Sequence, residues 1–203
     1  MIKKTWYDWI FPVYFILGDN YLKWRKDTIN LINLGPNEVI IDLCSGTGRN
    51  VELLSQRIPS SSHIIGVDTS LSMQKFCRKK FRTSQNIHFL KKSANDLSKE
   101  DISQLVPIED IGCVICTLGL SVIPKWREAF FNAFSLLKTG GMFILFDIHS
   151  KQSNFACKCI KCFAKADLSR ETWIPLQEAS TDFHFIKYST HFFDIVIAHG
   201  IKT

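Results

Sequence analysis

A short β-branched run, Val39-Ile40-Ile41, leads straight into Asp42-Leu43-Cys44-Ser45-Gly46-Thr47-Gly48 and then into a helical pattern over Asn50–Arg57. No other segment limits the possible architectures as strongly as this strand–turn–helix. Two glycines one residue apart let backbone come close to a ligand, because no Cβ intervenes. Such a turn at the tip of a first strand is where open α/β sheets hold nucleotide-type ligands.

The flanking sequence repeats the alternation. His63–Val67 reads as a second strand, followed by a helix capped by Ser70 and running through Lys79 to Phe81. Ile87–Leu90, Cys113–Cys116 and Met142–Phe146 read as strands three to five. Between the last two, a helix from about Lys125 to Lys138 carries Phe130, Ala133, Phe134 and Leu137 on one face. It stops at Gly140-Gly141, where a left-handed cap is expected. Strands this apolar require cover on both faces, and their alternation with helices predicts βαβ units. Phe183–Tyr188 and Phe192–His199 are separated by too few residues for a helical crossover, so they are expected to pair antiparallel. Residues 1–35 form a helical N-terminal extension ending at Gly35-Pro36, and 36–203 form the α/β domain.

The charge at the first turn narrows the ligand. Asp42 stands at the strand tip, where it would repel a pyrophosphate. The third small residue of a dinucleotide fingerprint is also missing, its position being Val51. S-adenosylmethionine brings an ammonium and a sulfonium and no phosphate. At an effective dielectric near 20, opposite charges about 4 Å apart attract by roughly 4 kcal/mol, so the sign favours the sulfonium cofactor. The alternative for Asp42 is that it only ties down amides of its own turn. Asp68 ends the second strand, 20 residues beyond Gly48, where a carboxylate can accept ribose hydroxyls or favour the dipole of the next helix. Lys92-Ser93-Ala94-Asn95-Asp96, Thr117 and Asp147-Ile148-His149 follow strands three to five. Five strands therefore end in small or polar residues at the edge where such sheets bind ligands.

This pattern resembles the class I S-adenosylmethionine-dependent methyltransferases, in the small single-domain branch acting on quinone precursors, phospholipid amines or other small metabolites. The resemblance spans about Gly35 to Phe146. It is carried by Asp42–Gly48, by Asp68-Thr69-Ser70-Leu71-Ser72-Met73, and by Leu137-Lys138-Thr139-Gly140-Gly141 before a strand ending at Asp147. It implies a Rossmann-like, doubly wound, seven-stranded sheet, mostly parallel with one antiparallel strand near the C-terminus. Carried over, Asp42, Cys44, Ser45, Gly46 and Gly48 hold the methionine part, Asp68 and Thr69 the ribose, and Ser93, Ala94 and Asn95 the adenine. Thr117 lines the floor near the sulfonium. The extension over residues 1–35 would lie across the cleft, bringing Tyr14 onto the cofactor and Tyr7 within reach of cofactor or acceptor. Two departures stand out: Cys44 replaces the loop's usual first glycine, narrowing the turn, and Ser93 replaces the acidic residue commonly met by the adenine amino group.

A net charge of +6 among 203 residues is mild and fits an anionic substrate or a membrane surface rather than nucleic acid. The Asn-Pro-Pro-Tyr motif that marks amide-nitrogen substrates is also absent after strand four. Seven cysteines, no cleavable leader and no run of 18 apolar residues lead to an expectation of reduced thiols in the cytoplasm. Cys157, Cys159 and Cys162 lack a fourth ligand at zinc spacing and read as partly buried helix residues, so no metal is expected. The aromatic stretch Trp6–Phe15, followed by Lys23, Arg25 and Lys26, suits either helix packing or peripheral contact with a bilayer, and hence a small-molecule or lipid-like acceptor. Methyl transfer from a sulfonium mainly needs alignment. His149 and Asp147 are candidates for a base, but no residue is assigned as catalytic. Two other readings stay open: a nicotinamide-dependent reductase, and a non-catalytic partner subunit on the same sheet.

Overall fold

The computed structural model describes residues 5–9, 21–33, 35–107, 110–152 and 154–203. Seven strands form one sheet: β1 (Val39–Leu43), β2 (His63–Asp68), β3 (Ile87–Lys91), β4 (Ile111–Thr117), β5 (Met142–His149), β6 (Thr181–Ser189) and β7 (Asp194–Ile201). Their order is β3-β2-β1-β4-β5-β7-β6. Pairings among the first five strands are all parallel, whereas β7 runs antiparallel to both β5 and β6. The doubly wound Rossmann-like sheet with one reversed strand is therefore present.

Beyond a helical segment at residues 6–9, the helices that flank the sheet are α1 (Leu22–Asn30), α2 (Arg49–Ser55), α3 (Leu71–Lys80), α4 (Lys99–Ser103), α5 (Trp126–Leu136), α6 (Phe155–Ala164) and α7 (Ile174–Ala179). Alternate strand residues face opposite sides. Val39, Ile41 and Leu43 meet Ile102 of α4, Phe130 and Phe134 of α5, and Leu176 of α7. Ile40, Ile115 and Ile144 meet Ile29 of α1, Val51 and Leu54 of α2, and Cys77 of α3. Both layers are closed to solvent, which explains why β1 and β4 read as unbroken apolar runs. Each such aliphatic side chain contributes about 1.5–3 kcal/mol of burial.

Local signals account for several boundaries. Ser70 accepts the amide of Met73 and starts α3 as expected, and Gly140 takes φ 79° beyond α5. Two helices had no periodic pattern to announce them. α4 rests on a capping box between Ser98 and Asp101 and buries only Ile102. α7 carries Pro175 in its first turn, where proline's missing N–H costs nothing. β5 is longer than the apolar run because β7 pairs along all of it, up to His149 opposite Asp194. His149 is thus a buried strand residue rather than a loop residue.

Candidate functional site

The strand order reverses between β1 and β4, and a cavity of about 400 Å³ opens over the C-terminal tips of the strands there. Its position is the topological switch point of an open α/β sheet, and its size falls within the roughly 300–1,000 Å³ of small-ligand sites.

Three alternate residues of the loop after β1 take the left-handed conformation: Cys44 (φ 56°), Gly46 (φ 52°) and Gly48 (φ 73°). Glycine adopts it freely, whereas a side chain there costs on the order of 1–3 kcal/mol. Cys44 is therefore a strained stand-in for glycine. Its thiol hydrogen-bonds with Cys116, which together with burial pushes its pKa well up. Leu118, on the facing loop after β4, shares the left-handed geometry at φ 57°. Both Cys44 and Leu118 line the cavity.

Asp68 clamps this loop to the next helix. One carboxylate oxygen accepts the Gly46 amide at 2.9 Å, and the other accepts the Ser70 amide at 2.8 Å. Burial raises its pKa and the two amide bonds oppose the rise. The side chain nevertheless lines the cavity, leaving lone pairs for hydroxyl donors. Asp8 joins the same corner from the N-terminal segment, accepting the Ser70 hydroxyl at 2.8 Å and the Ser72 amide at 2.7 Å. Burial works against its charge, yet bonds from Ser72, Thr5 and Ser70 hold its carboxyl far below the usual range. The neighbouring Tyr7 hydroxyl donates to the Ala164 carbonyl at 2.6 Å and also lines the cavity.

Asp42 departs from expectation. Its carboxylate has no exposed surface and is not among the lining groups. It accepts Asn50 Nδ2 at 2.8 Å; the same amide group donates to Thr117 Oγ1 at 2.9 Å. Arg25 of α1 donates to Asn50 Oδ1 at 2.8 Å and to Thr117 Oγ1. Arg25 itself lines the cavity. The ligand-facing charge at this end is thus a guanidinium backed by a carboxylate, because Asp42 is taken up by Asn50 in the layer behind. Desolvation pushes Asp42 up to about 7, with Asn50 and Arg25 pulling the other way. Buried Arg25 Nε and Asp42 Oδ2 have no hydrogen-bond partner among the described residues.

Of the other anticipated residues, Thr69, Ser93, Ala94 and Asn95 line the cavity with Asp68 and Gly46. Ser45, Gly48 and Thr117 do not. Ser45 bonds through its amide to the Val67 carbonyl. Gly48 abuts Cys77 and Phe81 of the α3 region, at 3.1 Å from where its Cβ would stand. Thr117 serves the Arg25–Asn50 network. Tyr14 lies outside the described residues. Asn95 reaches the cavity and Asp96 does not, so no carboxylate supplements Ser93 there.

Among candidate bases, Asp147 lines the cavity and His149 does not. Burial raises Asp147 to about 6, against hydrogen bonds from the Ser121 hydroxyl and amide and from the Ile148 amide. His149 instead meets Trp173 edge-on at 5.0 Å. The far half of the cavity is apolar, walled by Leu118, Val122, Ile123, Pro124, Ile148, Ile160, Phe163 and Leu168. Arg170, Trp173 and Pro175 do not line it. Cys157, Cys159 and Cys162 lie along α6 buried, half-buried and exposed respectively, and no metal-binding cluster occurs among the described residues.

Sequence reasoning missed Arg25, Asn50 and Tyr21 as site residues, whereas Lys92, anticipated at the tip of the third strand, does line the cavity. Arg25 had one available signal: it shares a helical face with Thr28 and Ile29, at i+3 and i+4, and that face is buried. A cation on a buried stripe needs a buried partner.

Comparison with known proteins gives a consistent picture. A family model described as a methyltransferase domain matches residues 40–141. Demethylmenaquinone methyltransferase of Listeria welshimeri is 26% identical over 129 residues, covering 63% of this chain and 52% of that protein. The ubiquinone/menaquinone biosynthesis C-methyltransferase of Wigglesworthia glossinidia brevipalpis is 27% identical over 139 residues, covering 66% and 52%. The chain spans about half the length of these curated relatives. Among solved structures, geranyl diphosphate C-methyltransferase from Streptomyces coelicolor A3(2), in complex with Mg2+, geranyl diphosphate and S-adenosyl-L-homocysteine, superposes with a TM-score of 0.69. It is 11% identical, with 90% of this chain and 77% of that chain covered, so it speaks for the fold alone.

Proposed function

This chain belongs to the methyltransferase domain family, and we propose that it transfers a methyl group from S-adenosylmethionine to a small-molecule or lipid-like acceptor. The observation that carries this reading is one cavity with two chemically distinct halves. One half has a left-handed glycine loop clamped by the Asp68 carboxylate, and the other is apolar.

The polar half fits the cofactor's functional groups. Asp68, with unfilled lone pairs beside the Gly46 backbone, accepts the ribose hydroxyls. Arg25, whose Nε has no partner among the described residues, pairs with the amino-acid carboxylate. Ser93, Ala94 and Asn95 bound the adenine. Tyr7, Tyr21 and Arg25 support reading residues 1–35 as a cover over this cleft, since all three line it. When bound, S-adenosylmethionine supplies a methyl group already activated on a sulfonium. What the chain adds is alignment and exclusion of water, which can lower a barrier by on the order of 7–11 kcal/mol.

The apolar half takes the body of the acceptor. Asp147 is, with Asp68, one of two carboxylate residues lining the cavity among the described residues, and it adjoins Ile148 of the apolar wall. A group poised near pH 6 can take a proton from a nucleophile that arrives protonated. The quinone-precursor methyltransferases among the relatives are in keeping with an apolar acceptor.

The test is incubation of the protein with methyl-labelled S-adenosylmethionine and fractionated lipid and polar extracts. Label is expected in an organic-soluble fraction and lost on Asp68→Ala substitution. Label in no fraction, despite cofactor binding, would overturn the transferase reading in favour of a non-catalytic subunit.

A further inference from the structure

We propose that α6 and the turn before β7 form a docking face for an anionic phospholipid bilayer, with the rim of the apolar half-cavity held against the membrane. The docking stands on surface features alone; only delivery of a lipid-like acceptor through that rim rests on the transferase reading above.

Large apolar side chains are exposed where this face would meet lipid. Phe155 is 83% exposed and Phe163 61%, eight residues apart on α6. Phe192, 52% exposed, is brought to the start of that helix by Asn154, whose side-chain amide donates to the Phe192 carbonyl at 2.7 Å. Trp6, 43% exposed, is tied to the other end, its indole nitrogen donating to the Phe163 carbonyl at 2.9 Å. Four exposed aromatic residues are thus gathered along α6 and at its two ends. Solvent offers them nothing, whereas the headgroup–acyl boundary accommodates such rings.

The cations complete the pattern. Lys158 and Lys161 are exposed on α6, and Lys165 stands 4.6 Å from the Trp6 ring centre just beyond it. Acids of the neighbouring segments are engaged elsewhere: Glu171 with Lys151, Asp167 with Arg170, Asp194 with Lys187, and Asp8 with Ser70 and Ser72. A cluster of aromatics edged by lysines without carboxylate partners among the described residues is complementary to anionic headgroups. It is less suited to an apolar protein groove, which would have to desolvate those charges. Continuity with the cavity gives the cluster its purpose. Phe163 is both exposed and a lining residue, and Ile160 lines the cavity one turn before it. The cluster is therefore the outer surface of the acceptor half. No helix among the described residues is long and apolar enough to cross a membrane, so the contact would be peripheral.

Sedimentation of the full chain with vesicles tests this. Vesicles of equal phosphatidylglycerol and phosphatidylcholine should carry the protein down, pure phosphatidylcholine should do so far less, and added salt should release it. Lys158→Ala and Lys161→Ala should each weaken binding to the anionic vesicles about fivefold, and Phe155→Ser should weaken it on both vesicle types. None of these three side chains lines the cavity, so calorimetric titration with S-adenosylhomocysteine should be unchanged and reports that each variant is folded. Protein that stays in the supernatant with both vesicle types, or variants that bind like wild type, would overturn the proposal. So would concentration-dependent dimerisation that Phe155→Ser abolishes while vesicle binding persists. For the wild-type protein, failure to bind vesicles with intact S-adenosylhomocysteine binding sinks the docking face alone, and vesicle binding without S-adenosylhomocysteine binding sinks only the cofactor reading.

Discussion

Replacing Arg25 with methionine separates ligand recognition from mere packing at the cavity floor. The guanidinium lines the cavity and is hydrogen-bonded on one side to Asn50 and Thr117, with Nε left over. A charge-assisted bond from it to a ligand carboxylate is worth about 1.5–3 kcal/mol. At 1.4 kcal/mol per tenfold, S-adenosylhomocysteine should bind about 10- to 150-fold more weakly to Arg25→Met. 5′-Methylthioadenosine keeps the nucleoside and sulfur but has no amino-acid part, so its affinity should hardly change. The substitution also strips Asp42 of a neighbouring cation. Removing one partner of a buried pair typically costs about 3–5 kcal/mol. The loss should be smaller here, because Asp42, already raised to about 7, takes up a proton instead of remaining a buried charge. Arg25→Lys keeps the charge without the fork and should fall between. The assay is calorimetry with both ligands, alongside thermal melts. Equal weakening of both ligands, or of neither, would refute the assignment of Arg25 to the ligand carboxylate.

Other consequences can be checked in turn. Gly48→Ala combines a left-handed φ of 73° with contacts of 3.1 Å to Cys77 and Phe81; urea denaturation should show a loss of about 1–3 kcal/mol, and an unchanged midpoint would contradict the strained loop. Ser70→Ala removes the α3 cap and a donor to Asp8, and should cost about 1 kcal/mol of stability by the same method. Asp147 has a folded pKa raised to about 6 from an ordinary 3.8. Its stabilising contribution is therefore full below pH 3.8 and is lost as pH rises through about 6. Whatever its constant offset, Asp147→Asn should gain thermal stability relative to wild type between those limits, and a difference independent of pH would show that the carboxyl is not held protonated.

Much of the fold was legible because its determinants are local. The apolar runs of β1, β2 and β4, the Ser70 cap and the Gly140 stop each announce themselves within a few residues. The short gap before the final strand likewise dictated its reversal. At the site, Asp68 and the Gly46 turn were readable for the same reason, since strand tip and turn adjoin in sequence. What escaped depends on contacts distant along the chain. Asp42 reads as ligand-facing, but Asn50 takes up its carboxylate in a network with Arg25 and Thr117, which lie 25 residues before and 67 residues after Asn50 in the chain. Tyr7 is joined to Ala164 across 157 residues, which no periodicity reveals. His149 was misread as a loop residue because only its pairing with Asp194 extends β5 that far. α4 has a polar sequence and was hidden by having a single buried residue.

The switch-point cavity takes either a phosphate-free sulfur nucleoside or a dinucleotide. Calorimetric titration of the purified chain with S-adenosylhomocysteine and, separately, NADH decides between them. Saturable binding of the first at one site, lost in Asp68→Ala and absent for NADH, is the predicted result. Binding of NADH alone, or of neither ligand by a folded protein, would contradict it.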